Sequence, residues 1–174
     1  MKALFVIDMQ NDFAKKGGAL YFDGADKIIP FVLNLIEKYK SQNLPIIFTQ
    51  DWHKEDDKEF EIWPKHCIKN TYGAEIIDEI KKIIADYKNA FFIKKNRYSA
   101  FFNTNLDKIV KSLKIEETDV VGLVTNICVL FTVEELRNRD IKVNVFKEGT
   151  ISYDNYMYDF SLKLMNEVLN VNIK

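Results

Sequence analysis

Val120-Val121-Gly122-Leu123-Val124 passes straight into Thr125-Asn126-Ile127-Cys128, and Val129, Val133 and Leu136 continue beyond it at helical spacing. A short run that is apolar at successive positions has no polar face to offer water, so it reads as a strand buried on both sides. Three more runs share this form. Ala3-Leu4-Phe5-Val6-Ile7 ends in Asp8, Pro45-Ile46-Ile47-Phe48 leads to Asp51 and His53, and Ala90-Phe91-Phe92-Ile93 leads to Lys94 and Lys95. If the four runs lie parallel, they carry those reactive side chains to one edge of one sheet, where open α/β folds bind ligands.

The segments between the runs are helical in pattern. Ile29, Val32, Ile36 and Tyr39 keep a 3.6-type period after Asp26, as do Ile77, Ile80 and Ile84, then Leu106, Ile109 and Leu113. Met157, Phe160, Leu164 and Val168 form a last stripe after a strand-like Val143-Asn144-Val145-Phe146, and a short final strand is expected near Val171-Asn172-Ile173. This alternation predicts an α/β fold with three αβα layers, a central parallel sheet of five or six strands, and right-handed crossovers.

A chain of 174 residues, 47% of them hydrophobic, reads as one domain spanning 1–174. A domain of that size buries roughly two thirds of its unfolded surface. With 25 basic and 26 acidic residues the net charge is -1, which leaves no basic footprint for nucleic acid or an anionic membrane. No apolar segment approaches the ~20 residues of a membrane span. Met1-Lys2-Ala3 enters the first strand without a secretory signal, so a cytoplasmic location is expected, where cysteines stay reduced. The expected partner is a small molecule, and a homo-oligomer is compatible with the sequence.

The stretch from Asp51 to Tyr72 is unusually long for a connection in a compact domain, and such loops tend to be functional. It holds both histidines. Asp51 and His53 are two residues apart, so in extended backbone they point the same way and can grip one ion. His66 is a candidate third ligand if the loop folds back, and Glu59 or Glu61 a fourth. Such donors suit Zn²⁺, Fe²⁺ or Mn²⁺, while the plain alternative is a solvated charged loop. Cys128 follows its strand by a short turn and opens a helix, whose amino terminus lowers a thiol pKa and can hold an oxyanion. A buried, inert cysteine is the alternative, and is how Cys67 reads. Asp8 ends a doubly apolar run, a costly place for a charge unless it is paired, and Lys95 could supply the pairing cation. Beside a thiol, such a pair supplies a base and a stabilising charge.

Phe5-Val6-Ile7-Asp8-Met9-Gln10-Asn11-Asp12-Phe13 resembles the opening motif of the isochorismatase-like cysteine hydrolases, and Gly122-Leu123-Val124-Thr125-Asn126-Ile127-Cys128-Val129 resembles their nucleophile motif. Gln50-Asp51-Trp52-His53, Trp63-Pro64-Lys65-His66-Cys67 and Tyr72-Gly73-Ala74-Glu75 are similar to the nicotinamidase and pyrazinamidase branch, and the likeness covers nearly the whole chain in order. The resemblance implies the isochorismatase-like hydrolase fold and a catalytic triad of Asp8, Lys95 and Cys128. It implies an oxyanion hole from the Val124 and Cys128 N–H groups and a cis peptide at Leu123-Val124. Asp51, His53 and His66 become ligands of one divalent metal, zinc first, with Fe or Mn as alternatives, and that metal takes the ring nitrogen of the substrate. Phe13 and Trp63 match aromatic positions flanking an aromatic amide. Motif alignment selects Lys95 over Lys94, and strand alternation aims Lys94 to the opposite face. Asn126 stands where the family usually has aspartate, and Val124 where it usually has alanine.

The implied activity is nicotinamide hydrolysis to nicotinate and ammonia through a cysteine thioester, a step of NAD salvage. Lys95-Asn96-Arg97-Tyr98-Ser99-Ala100-Phe101 looks more like the branch that acts on isochorismate or lacks a metal, so another amidase or an isochorismate hydrolase is the first alternative. A hydrolase using metal-bound hydroxide and a non-catalytic binding module on the same fold are the others.

Overall fold

In the computed structural model, which describes residues 1–174, alternate residues of β1 (Lys2–Ile7) go to opposite sides. Leu4 and Val6 join one apolar cluster with Val32, Ile36, Ile77 and Ile80, while Ala3, Phe5 and Ile7 join another with Leu106, Val133, Leu136 and Met165. This is the two-residue period of a strand covered on both faces. The cover is helical. α2 (Ile29–Ser41) and α3 (Asp78–Ile84) feed the first cluster; α4 (Leu106–Ser112), α5 (Leu130–Arg137) and α6 (Asn155–Glu167) feed the second. The remaining helix, α1 (Asn11–Ala14), is a single turn that follows β1.

The other strands are β2 (Ile46–Asp51), β3 (Ala90–Lys95), β4 (Glu117–Leu123), β5 (Lys142–Ile151) and β6 (Asn172–Ile173). All pair in parallel, in the order β3-β2-β1-β4-β5-β6, so the larger of the two expected strand counts is correct. From β1 the chain moves outward through β2 and β3, then returns to β4 on the other side. The β1/β4 boundary is therefore the switch point, outside whose carboxyl end a crevice opens. No helix is long and apolar enough to cross a membrane.

Two helical stripes differ from expectation. In α6 the fully covered residues are Ser161, Leu162 and Met165, whereas Phe160 is 47% and Val168 69% exposed. Several residue sets in this helix share the 3.6-type spacing, and spacing alone does not say which faces the sheet. In α4, Leu106 and Val110 are buried, while Ile109 and Leu113 are half-buried at its flank. β5 also runs well past the expected Phe146, through an irregularity in its pairing opposite Val120/Gly122.

Gly122 sits where β4 passes closest to β1. Its φ is +122°, and a Cβ there would lie 2.0 Å from the Ile7 carbonyl oxygen and 2.6 Å from the Ile7 nitrogen. Neither backbone atom can retreat without breaking the central pairing. Gly122→Ala should destabilise the protein by about 3 kcal/mol or more, lowering the melting temperature by about 6 to 12 °C. Thermal unfolding followed by circular dichroism checks this.

Candidate active site

Three strand ends and the turn after a fourth meet around one ammonium group. Lys95, at the end of β3, places Nζ 2.7 Å from Asp8 Oδ2 and 3.4 Å from Cys128 Sγ, and it also pairs with Asp51 Oδ1. Parallel register sets Asp51 directly opposite Lys95. Asp8 lies just past β1 at φ +47°, a left-handed bend at which its N–H donates to Thr49 Oγ1 (3.1 Å) and its Oδ1 accepts from the same hydroxyl (2.5 Å). All four charged or reactive side chains are buried. Lys94 points away, with its ammonium 3.6 Å from the Trp52 ring centre, as strand alternation requires.

Burial and charge compete at each member. Burial raises the Asp8 pKa more than the Lys95 charge lowers it. Burial acts the same way on Asp51, but Lys95 and the two histidines outweigh it and hold that carboxyl below its usual range. Lys95 would be depressed by burial, yet Asp51 and Asp8 hold it well above its ordinary value. The Cys128 thiol is pushed well above its ordinary value by burial, against the pull of Lys95. That departs from the expectation of a thiol acidified by a helix start. Cys128 lies in a wide π-type turn, Thr125–Val129, and α5 begins only at Leu130. A carboxyl group stands beside the sulfur: donor atoms of Asp8, Asp51 and Cys128 lie within 4.8 Å of one another.

Asp51 faces a second group with its other oxygen. Its Oδ2 lies 3.8 Å from Nε2 of His53 and 3.8 Å from Nε2 of His66, and Glu59 Oε1 lies 4.0 Å from His66 Nε2. The loop folds back as the ligand reading requires. His53 bridges to Ile68, with its N–H donating to the Cys67 carbonyl at 3.0 Å and its carbonyl accepting from Lys69 at 2.8 Å. Of the two glutamates named from the sequence, Glu59 is buried in the cluster and Glu61 is exposed.

The donor set fits a divalent cation. His53 Nδ1 lies 3.1 Å from Asp57 Oδ2, and His66 Nδ1 2.8 Å from the Pro64 carbonyl. Both partners only accept, so each Nδ1 carries a hydrogen, and in the neutral imidazole each Nε2 has its lone pair turned inward. Lone pairs thus face carboxylate oxygens, and the buried His53 Nε2 and Glu59 Oε2 have no hydrogen-bond partner. Burial would depress the His53 pKa, but Asp51 and Asp57 outweigh it and raise it, so positive charge is favoured there. Two imidazoles and two carboxylates suit Zn²⁺, Fe²⁺ or Mn²⁺.

Cys128, Asp51, Glu59 and His66 open onto a cavity of about 250 Å³. Phe13 and Trp63 line it, and so do Val124, Tyr98 and Tyr153. Trp63 Nε1–H donates to Tyr98 Oη at 3.2 Å, which fixes the indole. No lysine or arginine lines this cavity. Leu123-Val124 is a cis peptide. Cys67 is wholly buried and packs in the apolar core, as read from the sequence.

A buried thiol beside an acid, a lysine and a cluster of four potential metal donors, all at the switch point of an α/β sheet, has the make-up of a hydrolase pocket. The chain belongs to the isochorismatase family, whose domain description "Isochorismatase domain" matches residues 2–173. It is 31% identical to the nicotinamidase of Escherichia coli over 85% of this chain and 82% of that protein. It is 30% identical to the ureidoacrylate amidohydrolase of Yersinia enterocolitica, over 76% of this chain and 67% of that one. The pyrazinamidase of Pyrococcus horikoshii, solved in complex with zinc, superposes with a TM-score of 0.89 at 31% identity, covering 99% of this chain and 98% of that one. These relatives place it among the family's amidohydrolases.

Several residues that build the site were not singled out from the sequence. Thr49 orients Asp8, Tyr98 holds Trp63, and Gln10 locks β1 to β2. The Gln10 amide donates to the Asp51 and Ala74 carbonyls at 2.8 and 2.7 Å, and its oxygen accepts from the Asp51 N–H at 2.7 Å. The available signal was a long amide placed directly after a doubly apolar strand. Gln10→Ala should remove the side-chain partner of the buried Asp51 N–H and carbonyl, while the Ala74 carbonyl keeps the Gln50 amide at 3.1 Å, and cost about 2 kcal/mol. Urea unfolding, read against Gln10→Glu, which keeps one acceptor, measures this.

Proposed function

We propose that this chain is a nicotinamidase that hydrolyses nicotinamide to nicotinate and ammonia through a Cys128 thioester, as a step of NAD salvage. The observation that carries the reading is the contact of one buried ammonium, Lys95, with Asp8 at 2.7 Å and Cys128 at 3.4 Å, beside the four-donor cluster. Asp51, His53, Glu59 and His66 would hold one divalent ion, zinc by donor set, which when bound supplies a positively charged anchor for the ring nitrogen. Phe13 and Trp63 flank the ring in the aromatic cavity.

Asp8 is the base. Its raised pKa makes the carboxylate a better proton acceptor than an ordinary aspartate, while the Lys95 charge pulls the other way. Asp8 takes the Cys128 proton as sulfur attacks the carboxamide carbon, and Lys95 stabilises the developing thiolate. The N–H groups of Val124 and Cys128 hold the oxyanion. Collapse breaks the C–N bond, the nitrogen takes the proton back from Asp8, and ammonia leaves a thioester. Asp8 then deprotonates water, which attacks the thioester. The C–S bond breaks, and sulfur recovers its proton from Asp8 with release of the acid.

The charge of the cavity favours a neutral amide over the anionic substrates handled elsewhere in the family. Apart from the ion that Asp51 and Glu59 would hold, the wall carries no lysine or arginine to pair with a substrate carboxylate, and Phe13 and Trp63 suit an uncharged aromatic ring. Nicotinamide should therefore exceed ureidoacrylate in kcat/KM by about 100-fold or more. Ammonia release over a panel of amides decides this, and a preference for ureidoacrylate or isochorismate would overturn the substrate assignment.

Cys128→Ala should reduce ammonia release to background while metal content and melting temperature stay unchanged. Iodoacetamide should inactivate the native protein, and nicotinamide should protect it. An enzyme that ignores the alkylating agent but dies with a chelator would be a metal-hydroxide hydrolase instead.

A further inference from the structure

Two residues on the outer side of the ligand cluster line neither the cavity nor the thiol site. Asp57 is one, with its side chain 6% exposed. Its Oδ2 accepts from His53 Nδ1 at 3.1 Å, and its Oδ1 accepts from the Glu59 N–H at 3.0 Å and from Arg97 Nη1 at 2.9 Å. One carboxylate thus orients the imidazole of one donor and caps the short 3-10 turn, Lys58–Glu61, that carries another. Arg97 is the second residue. The same guanidinium nitrogen lies 3.7 Å from Glu59 Oε2, whereas it is Oε1 that faces His66.

We propose that Asp57 and Arg97 are positioning residues of the metal centre, Asp57 aiming His53 and Glu59 together and Arg97 holding both carboxylates in place. The inference rests on the metal reading given above. It extends that reading to residues outside the donor set. A carboxylate behind a ligating imidazole fixes its tautomer and strengthens its donation, and losing such a partner typically weakens metal binding. The loop does not need Asp57 for its path. His53 is tied to Cys67 and Lys69 by backbone bonds, and the Cys67 N–H donates to Asp12 Oδ2 at 2.7 Å.

The test is zinc affinity, measured by competition with a chromophoric chelator on metal-stripped protein, together with the visible spectrum of the Co²⁺-loaded form. Asp57→Ala should bind zinc about 10- to 100-fold more weakly than wild type, and Asp57→Asn, which keeps a cap for the turn, about tenfold more weakly with displaced Co²⁺ bands. Arg97→Gln should weaken binding severalfold. Asp56→Ala, the exposed neighbour, should change nothing. Metal-stripped Asp57→Asn should melt within a few degrees of wild type, which separates positioning from folding. If both Asp57 variants stay within about twofold of wild type with superimposable Co²⁺ bands, the inference fails while the metal centre stands. If wild type itself binds no ion, the metal reading fails and takes this inference with it.

Discussion

The structure depends on one buried cation between two carboxylates. Lys95 reaches the site from the third strand and finds Asp8 from the first and Asp51 from the second, all wholly or nearly wholly shielded from water. None of the three is tolerable there alone. Removing the lysine would strand two negative charges in a low-dielectric interior, and removing one acid would leave the others mismatched. Strands β1, β2 and β3 are therefore held in relative register by charge as well as by backbone pairing. A one-residue slip of β3 would swap Lys95 for Lys94 and turn the ammonium to the opposite face.

The location of the polar cluster follows from what the sheet excludes. β1 is apolar on both faces because helices cover both, so it can carry a charge only where it stops. Parallel pairing makes the strands stop together at one edge. The reversal of strand order between β1 and β4 then leaves a gap between diverging connections, and the cavity opens there. Asp8 and Cys128 flank that gap. Asp51 and Lys95, one and two strands further out, pair with each other across the β2/β3 register, and Lys95 also reaches Asp8.

What could be read in the sequence and what could not divides along physical lines. The doubly apolar runs were legible because continuous burial leaves a mark at every residue, and the groups at their ends stood out as charges with nowhere else to go. The face of α6 was not legible, since residue sets one position apart share the helical period and only the packed sheet selects Leu162 and Met165 over Phe160 and Val168. Glu59 and Glu61 were indistinguishable for a similar reason. Both lie in one charged loop, and only the folded turn separates a buried Glu59 from an exposed Glu61. Gln10 and Thr49 act through backbone groups and single oxygens brought together across strands, an arrangement with no periodic trace.

Asp51 links the two halves of the site. One of its oxygens pairs with Lys95, and the other faces both histidines. Its charge is therefore divided between the group that steadies the thiol and the donors that would anchor a ring. An amide in its place would offer one acceptor where two are needed, and would leave Lys95 with a single counter-charge in Asp8. In the proposed function, ring binding and carbonyl attack would thus not be independent modules set side by side. Asp51 ties the two groups together, with one oxygen on Lys95 and the other toward the histidines. In that reading, a substrate anchored at the donors with its scissile carbon at Cys128 would be held for attack by geometry, before any proton moves.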